Sequence, residues 1–433
     1  MKATSSPSSR SAQGTLVLAD DLTGAADAAV ALAGVGRNAE VVLRAKLAMQ
    51  ARTEVVSIDL DTRRMAADAA AQAVAHAVTE AAGGAPARRL FKKIDSTLRG
   101  HLGVELAAMA RALPAPRDGL RLLYLVAPAH PELGRTMANG RLHVHGRPLA
   151  GQPALARELE AHGLHCAALA APMLDRCDAH ALRQLVENAA AASAAAPAAL
   201  VCDARSMDEL RRIVAAALGA RLHCVWVGSG GLAQALSDML HDDGAALPSC
   251  PSPFSPFQPA GAAADASARR GTIFVVGSCS DVARAQVERL VRGGVTQVAI
   301  GMPPLGPDLE AAAQARIEAA LSRGDDVALC IDPAAEVQPA LAAALARGLA
   351  AAVAPSLPRL AALVVCGGDT SRALLEHIGV DRLNVRRSAE LGATRAAIAL
   401  HPHLPLILKA GAFGDEELLL RLRRQPGTFA PST

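Results

Sequence analysis

Short runs of consecutive apolar residues recur along this chain, and longer segments of helical periodicity separate them. In the first half the runs are Thr15–Ala19, Val55–Ile58, Leu122–Ala127, Ala199–Cys202 and Cys224–Val227. In the second half they are Thr272–Val276, Gln297–Ile300, Asp326–Ile331, Leu363–Cys366 and Leu406–Lys409. Met65–Ala82, Met207–Leu218, Val282–Arg292 and Leu309–Arg323 are the clearest helical segments between them. An unbroken apolar run suits a strand buried on both faces, and a helix between strands suits a parallel crossover. The pattern predicts an α/β fold: two α/β domains with mainly parallel sheets.

The alternation breaks once. Residues 245–270 carry Pro248, Pro251, Pro253, Pro256 and Pro259 among Ser, Ala and Gly, a composition that neither holds a helix nor buries a face. They read as a linker between an N-terminal domain at 15–244 and a C-terminal domain at 271–424, both of ordinary domain size. Residues 1–14 are Ser-rich without an apolar core segment, so they read as a disordered tail and not a signal peptide; 425–433 form a second tail.

Composition narrows the function classes. Lys+Arg 44 against Asp+Glu 41 leaves a net charge of +3, which gives no drive toward nucleic acid or an anionic membrane. Aromatic residues are 2% of the chain, too few for stacking platforms. No apolar stretch is long enough to span a bilayer, and the eight cysteines sit singly, as buried thiols of a cytoplasmic protein would. Only five basic residues are lysine: Lys2, Lys46, Lys92, Lys93 and Lys409.

Ligands of open α/β sheets bind at the carboxyl ends of strands. There the first half places Asp20 and Asp21, then Thr62 and Arg63, then Lys92-Lys93-Ile94-Asp95-Ser96-Thr97-Leu98-Arg99, then a Pro-rich loop that ends at Arg135. One of the two adjacent aspartates suffices to cap the following helix, which leaves the other for a substrate hydroxyl or a metal-bound water. Alternating cations, carboxylates and hydroxyls suit a small polyhydroxylated acid: Lys93, Arg63, Arg99 and Arg135 for its carboxylate, Asp95 and Ser96 for its hydroxyls. In the second half, Gly277-Ser278-Cys279-Ser280 and Gly367-Gly368-Asp369-Thr370 each join a strand to a helix, and Lys409-Ala410-Gly411 ends the last run. Glycines at such junctions let backbone N–H groups approach a phosphate. No G-x-x-x-x-G-K-[ST] occurs, and Gly228-Ser229-Gly230-Gly231 fails the dinucleotide spacing.

In this order, Leu16–Ala29 (LVLADDLTGAADAA), Lys92–Glu105 (KKIDSTLRGHLGVE), Ala127–Gly140 (APAHPELGRTMANG), Gly228–Leu232 (GSGGL), Val275–Ser280 (VVGSCS), Val365–Arg372 (VCGGDTSR) and Lys409–Gly414 (KAGAFG) resemble the four-carbon acid sugar kinase family. The resemblance runs from about residue 15 to 420. It implies a sugar-acid-binding N-terminal domain, a nucleotide-binding C-terminal domain and an active site in the cleft between them. The implied reaction is ATP-dependent phosphorylation of threonate, erythronate or 3-oxo-tetronate at the terminal hydroxyl, with Mg²⁺ accompanying ATP. By position, Ser278, Gly367, Gly368, Asp369, Thr370 and Gly411 would bind ATP, with Lys409 adding positive charge. Asp20, Thr62, Arg63, Ser96, Arg99 and Arg135 would bind the acid. Asp21, then Asp95, would orient or deprotonate its hydroxyl, with Lys93 beside them. No protein-borne metal site is expected. Partners would be small molecules only, and a homodimer is compatible with the sequence. The alternatives are an isomerase or aldolase acting on a phosphorylated sugar acid, and a non-catalytic sensor of such acids.

Overall fold

All ten apolar runs fold as strands. The computed structural model describes residues 14–34, 37–51, 53–82, 89–193, 195–241, 271–301, 307–332, 339–390 and 392–424. The tail before Gly14, the linker expected at 245–270 and the tail after residue 424 lie outside the described residues. The chain forms two compact units, Met1–Cys250 and Pro251–Thr433.

The first unit contains β1 (Thr15–Ala19), β2 (Ala39–Val42), β3 (Val55–Asp59), β4 (Arg89–Lys93), β5 (Arg121–Ala127), β6 (Arg135–Ala138), β7 (Arg141–Val144), β8 (Arg147–Pro148), β9 (His165–Leu169), β10 (Ala198–Cys202) and β11 (Leu222–Gly228). Eight of these form a wholly parallel sheet in the order β2-β3-β1-β4-β11-β5-β10-β9. The other three make a small antiparallel sheet, β6-β7-β8. Trp226 on β11 and Tyr124 on β5, the chain's only Trp and Tyr, are buried in the core.

Register aligns the strand ends. Ala19 pairs with Asp59 on one side and Lys93 on the other, Lys93 with Gly228, and Gly228 with Ala127. Five strands thus end on one line, and their outgoing loops emerge side by side. Chain order reverses direction across β1 and β4, which is where a crevice opens in a doubly wound sheet.

The second unit contains β12 (Thr272–Val276), β13 (Thr296–Ile300), β14 (Val327–Ile331), β15 (Ala362–Cys366), β16 (Arg382–Glu390), β17 (Ala393–Ile398) and β18 (His401–Lys409). Parallel pairing runs β13-β14-β12-β15-β18, and β17 and β16 continue the sheet antiparallel. Val276, Cys366 and Lys409 are level in register, so three loops again leave from one line. Among the described residues no helix is long and apolar enough to cross a membrane, and seven cysteines are unpaired.

Candidate active site

The two adjacent aspartates after β1 divide their labour. Asp21 caps helix Leu22–Ala33, accepting from Gly24 N at 3.0 Å, and also accepts from Thr23 Oγ1 at 2.7 Å. Asp20 takes the Arg63 guanidinium bidentately, with Nε and Nη2 each at 2.9 Å. The same Nη2 reaches Asp21 Oδ1 at 2.8 Å and lies 3.8 Å from Asp95 Oδ1. Arg63 sits in a single 3-10 turn, Thr62–Arg64, whose Thr62 is fully buried.

After β4, Asp95 organises a tight loop. It accepts from Arg99 Nε at 2.7 Å and Nη2 at 2.8 Å, from Thr97 Oγ1, and from the Thr97 backbone N–H at 3.2 Å. Leu98 takes a left-handed φ of 58° to close this turn. Ser96, a buried residue beside it, makes no side-chain hydrogen bond among the described residues. Arg135 on β6 donates to Leu133 O at 2.8 Å, and its charge is felt by His130. Its hairpin is held by Asp203, a buried carboxylate that accepts from Asn139 N at 2.7 Å and Gly140 N at 2.9 Å.

The lysine pair splits, because successive strand residues face opposite ways. Lys92 is 0% exposed and its Nζ lies 2.8 Å from Glu105 Oε2, itself 2% exposed, on helix Leu102–Ala112. This is a core ion pair. Lys93 points to the loop side, where Nζ donates to Ile94 O at 2.9 Å. A Cβ on Gly24 would lie 2.9 Å from Lys93 Nζ and 2.5 Å from Asp21 Oδ1, so ammonium and carboxylate flank the same glycine.

The charges are mutually compensated. Burial opposes ionisation of Asp21, but Arg63 and Lys93 outweigh it and hold its carboxyl below the ordinary range. Burial likewise opposes Asp95, and Arg99 and Arg63 prevail. Two residues that sequence reasoning did not single out join the group. Asp27, the lone charge of helix Leu22–Ala33, has its pKa raised by burial and by Asp21, against the pull of Lys93. His130 is pushed down to about 3 by burial, Lys93 and Arg135, so it is neutral. A single acid in an otherwise apolar helix was the available signal for Asp27.

In the second unit the three loops converge. A Cβ on Gly277 would lie 1.9 Å from Thr370 Oγ1, and one on Gly411 would lie 2.6 Å from Ser278 Oγ. Gly367 has φ 108°, a backbone state that only glycine adopts readily, and it precedes helix Gly368–His377 without a side-chain cap. The first N–H groups of that helix, at Gly368, Asp369 and Thr370, therefore have no side-chain acceptor from the capping position. Ser280 caps helix Asp281–Arg292 and donates to Gly411 O at 3.3 Å, tying the first loop to the last. Lys409 is 0% exposed. Its Nζ donates to Ala410 O at 2.9 Å and Gly411 O at 3.2 Å, so the ammonium braces its own turn, and burial lowers its pKa. Beside Ser278 lies a cavity of about 290 Å³, lined by Val276, Val287, Gln297, Cys330 and Ile331 among others.

Residues 15–236 match the sugar-binding N-terminal domain family, and residues 273–419 match the nucleotide-binding C-terminal domain family. The chain is 33% identical over 428 residues to D-threonate kinase of Cupriavidus necator, covering 93% of this chain and 96% of that protein. The chain belongs to the four-carbon acid sugar kinase family. D-threonate kinase of Bordetella bronchiseptica is 31% identical over 428 residues, covering 94% of this chain and 95% of its own. A crystal structure from Salmonella typhimurium LT2 shares the fold, with a TM-score of 0.72 at 24% identity over 96% of this chain and all of that one.

No group of three or more His, Cys, Asp or Glu able to hold a metal occurs among the described residues.

Proposed function

We propose that this protein transfers the γ-phosphate of ATP to the terminal hydroxyl of a four-carbon sugar acid of the threonate, erythronate or 3-oxo-tetronate class. The observation that carries the reading is similarity to a D-threonate kinase along 93% of the chain. The isomerase or aldolase alternative is not favoured, because the relatives that span the chain are kinases by name.

Phosphoryl transfer asks for positioning and charge neutralisation more than covalent chemistry by the protein. In the first unit, Lys93 with Arg63, Arg99 and Arg135 would supply the positive field for the acid's carboxylate. Asp20 and Asp95 would fix the guanidinium orientations, and Ser96 and Thr62 would meet hydroxyls. Asp21, ionised and held between Arg63 and Lys93, would orient the accepting hydroxyl. In the second unit, the N–H groups of Gly368 to Thr370 and the turns at Ser278 and Gly411 would cradle phosphates, and Lys409 would hold the last turn in shape. The cavity beside Ser278 is large enough for a purine ring. Mg²⁺, bound through phosphate oxygens and water, would supply charge neutralisation on the phosphates.

The test is ADP release from ATP over a panel of threonate, erythronate and 3-oxo-tetronate isomers. At least one acid is expected to give sustained release that stops with EDTA and returns with Mg²⁺. Release with none of them, or a thermal shift only with sugar phosphates, would end the kinase reading. Gly411→Val is expected to force the Ser278 and Gly411 turns apart. ATP affinity should fall about tenfold, or ~1.4 kcal/mol, while calorimetry with the acid is unchanged. Unaltered ATP affinity would move the phosphates elsewhere.

A further inference from the structure

The Gly228–Leu232 motif has no role in the mechanism above, and its surroundings give it one. Helix Leu22–Ala33 packs along helix Gly230–His241. At the end nearest the strand termini, a Cβ on Gly230 would lie 2.7 Å from Asp27 Oδ2 and 2.9 Å from His130 Cε1. Gly231 has no room either, since its Cβ would meet Ala129 O at 2.5 Å. The glycines therefore bring the helix start against the loop after β5, and leave the carboxyl of Asp27 and the ring of His130 facing one small space.

That space adjoins Lys93 and Asp21. Gly24 and Asp27 are three residues apart, on one face of their helix. Gly24 opens onto Asp21 Oδ1 and Lys93 Nζ, and the Lys93 charge acts on Asp21, Asp27 and His130 alike. Neither the Asp27 carboxyl nor the His130 ring makes a hydrogen bond among the described residues, although His130 is only 6% exposed. Asp27 is half-buried, and neither side chain is among those with a fully buried unpaired polar atom, so both can be reached by a ligand. By contrast, the guanidinium forks of Arg63 and Arg99 are already filled by Asp20 and Asp95.

We propose that Asp27 and His130 form the hydroxyl-reading wall of the sugar-acid site and set which stereoisomer is accepted, an assignment that rests on the sugar-acid reading of the first unit. A neutral imidazole offers one donor and one acceptor, and the carboxyl offers acceptors beside it. Together they match a vicinal pair of hydroxyls in one configuration and leave a polar group unpaired against the other. A site that hydrogen-bonds a substrate hydroxyl discriminates in this way.

Asp27→Asn and His130→Gln test the assignment by kcat/KM for threonate and erythronate, acids that differ in configuration at one carbon, together with KM for ATP. Each variant is expected to change the threonate-to-erythronate ratio at least tenfold, chiefly through KM for the acid, with KM for ATP within twofold of wild type. An unchanged ratio, with activity lost equally for both acids, would overturn the proposal. So would loss of cooperative melting in both variants, which would make the pair a core element. Wild-type protein that turns over no acid of the threonate, erythronate and 3-oxo-tetronate panel would instead defeat the sugar-acid reading itself.

Discussion

Arg63→Met is expected to lower the unfolding free energy by about 3–5 kcal/mol at neutral pH, the scale for removing one partner of a buried ion pair. One guanidinium, its side chain 17% exposed, meets Asp20 bidentately, Asp21 at 2.8 Å and Asp95 at 3.8 Å. Methionine fills much of the volume, so the loss would be electrostatic and not a cavity. The pH dependence identifies the cause. Asp21 and Asp95 have folded pKa values below their unfolded ones, so their contribution is complete above the unfolded value and is lost as pH falls through the folded value. Without Arg63, burial and mutual repulsion would raise the folded values of these acids. Protonation would then relieve the variant, and its deficit against wild type should shrink as pH falls from 7.5 toward 5. Urea unfolding at both pH values measures this. A deficit under about 1 kcal/mol, or one constant with pH, would contradict it. Arg99 is the internal contrast: its side chain is 60% exposed, water can replace it at Asp95, and Arg99→Met should cost far less.

The central strands were legible because a parallel sheet buries both faces of each strand. What escaped did so for the same reason turned around. β4 (Arg89–Lys93) carries three basic residues in five, and only the neutralisation of Lys92 by Glu105, on the following helix, lets it enter the core. β16 and β17 are antiparallel and mix polar with apolar residues, so no continuous apolar run marks them. At the site, residue types at strand ends located the loops, because strands of one parallel sheet end together. Their pairing was not legible. That Arg63 would fork onto Asp20, 43 residues earlier, and Arg99 onto Asp95 depends on the register of β1, β3 and β4. Lys409 also reads differently in three dimensions: its ammonium closes on the carbonyls of its own turn.

Asp21→Asn is expected to lower kcat for the sugar acid by about 10²–10⁴, the range for losing a general acid–base group. The substitution is conservative where Asp21 is structural. Asparagine caps a helix about as well as aspartate: its carbonyl, in place of Oδ1, can still accept from Gly24 N, and its amide, in place of Oδ2, would donate to a Thr23 hydroxyl turned to accept. What it removes is the negative charge between Arg63 and Lys93. On the proposed reading, the accepting hydroxyl would then lose the carboxylate that orients it and favours its deprotonation. The residues assigned to nucleotide belong to the second unit, so ATP affinity by calorimetry should stay within twofold of wild type. The expected signature is a collapse of kcat with nucleotide binding nearly intact and a melting temperature lowered less than in Arg63→Met, because Arg63 keeps both its bonds to Asp20. Because Asp21 is held below the ordinary carboxylate range, it is fully ionised near neutrality. Wild-type kcat should therefore be flat from pH 6 to 8 on the acid side, with no inflection from this group. Asp95→Asn separates the two carboxylates. Asp95 is tied to Arg99 and Thr97, so its loss should loosen the loop that carries Ser96 and act mainly on KM for the acid. Normal turnover by Asp21→Asn, with kcat lost instead in Asp95→Asn, would transfer the catalytic role to Asp95.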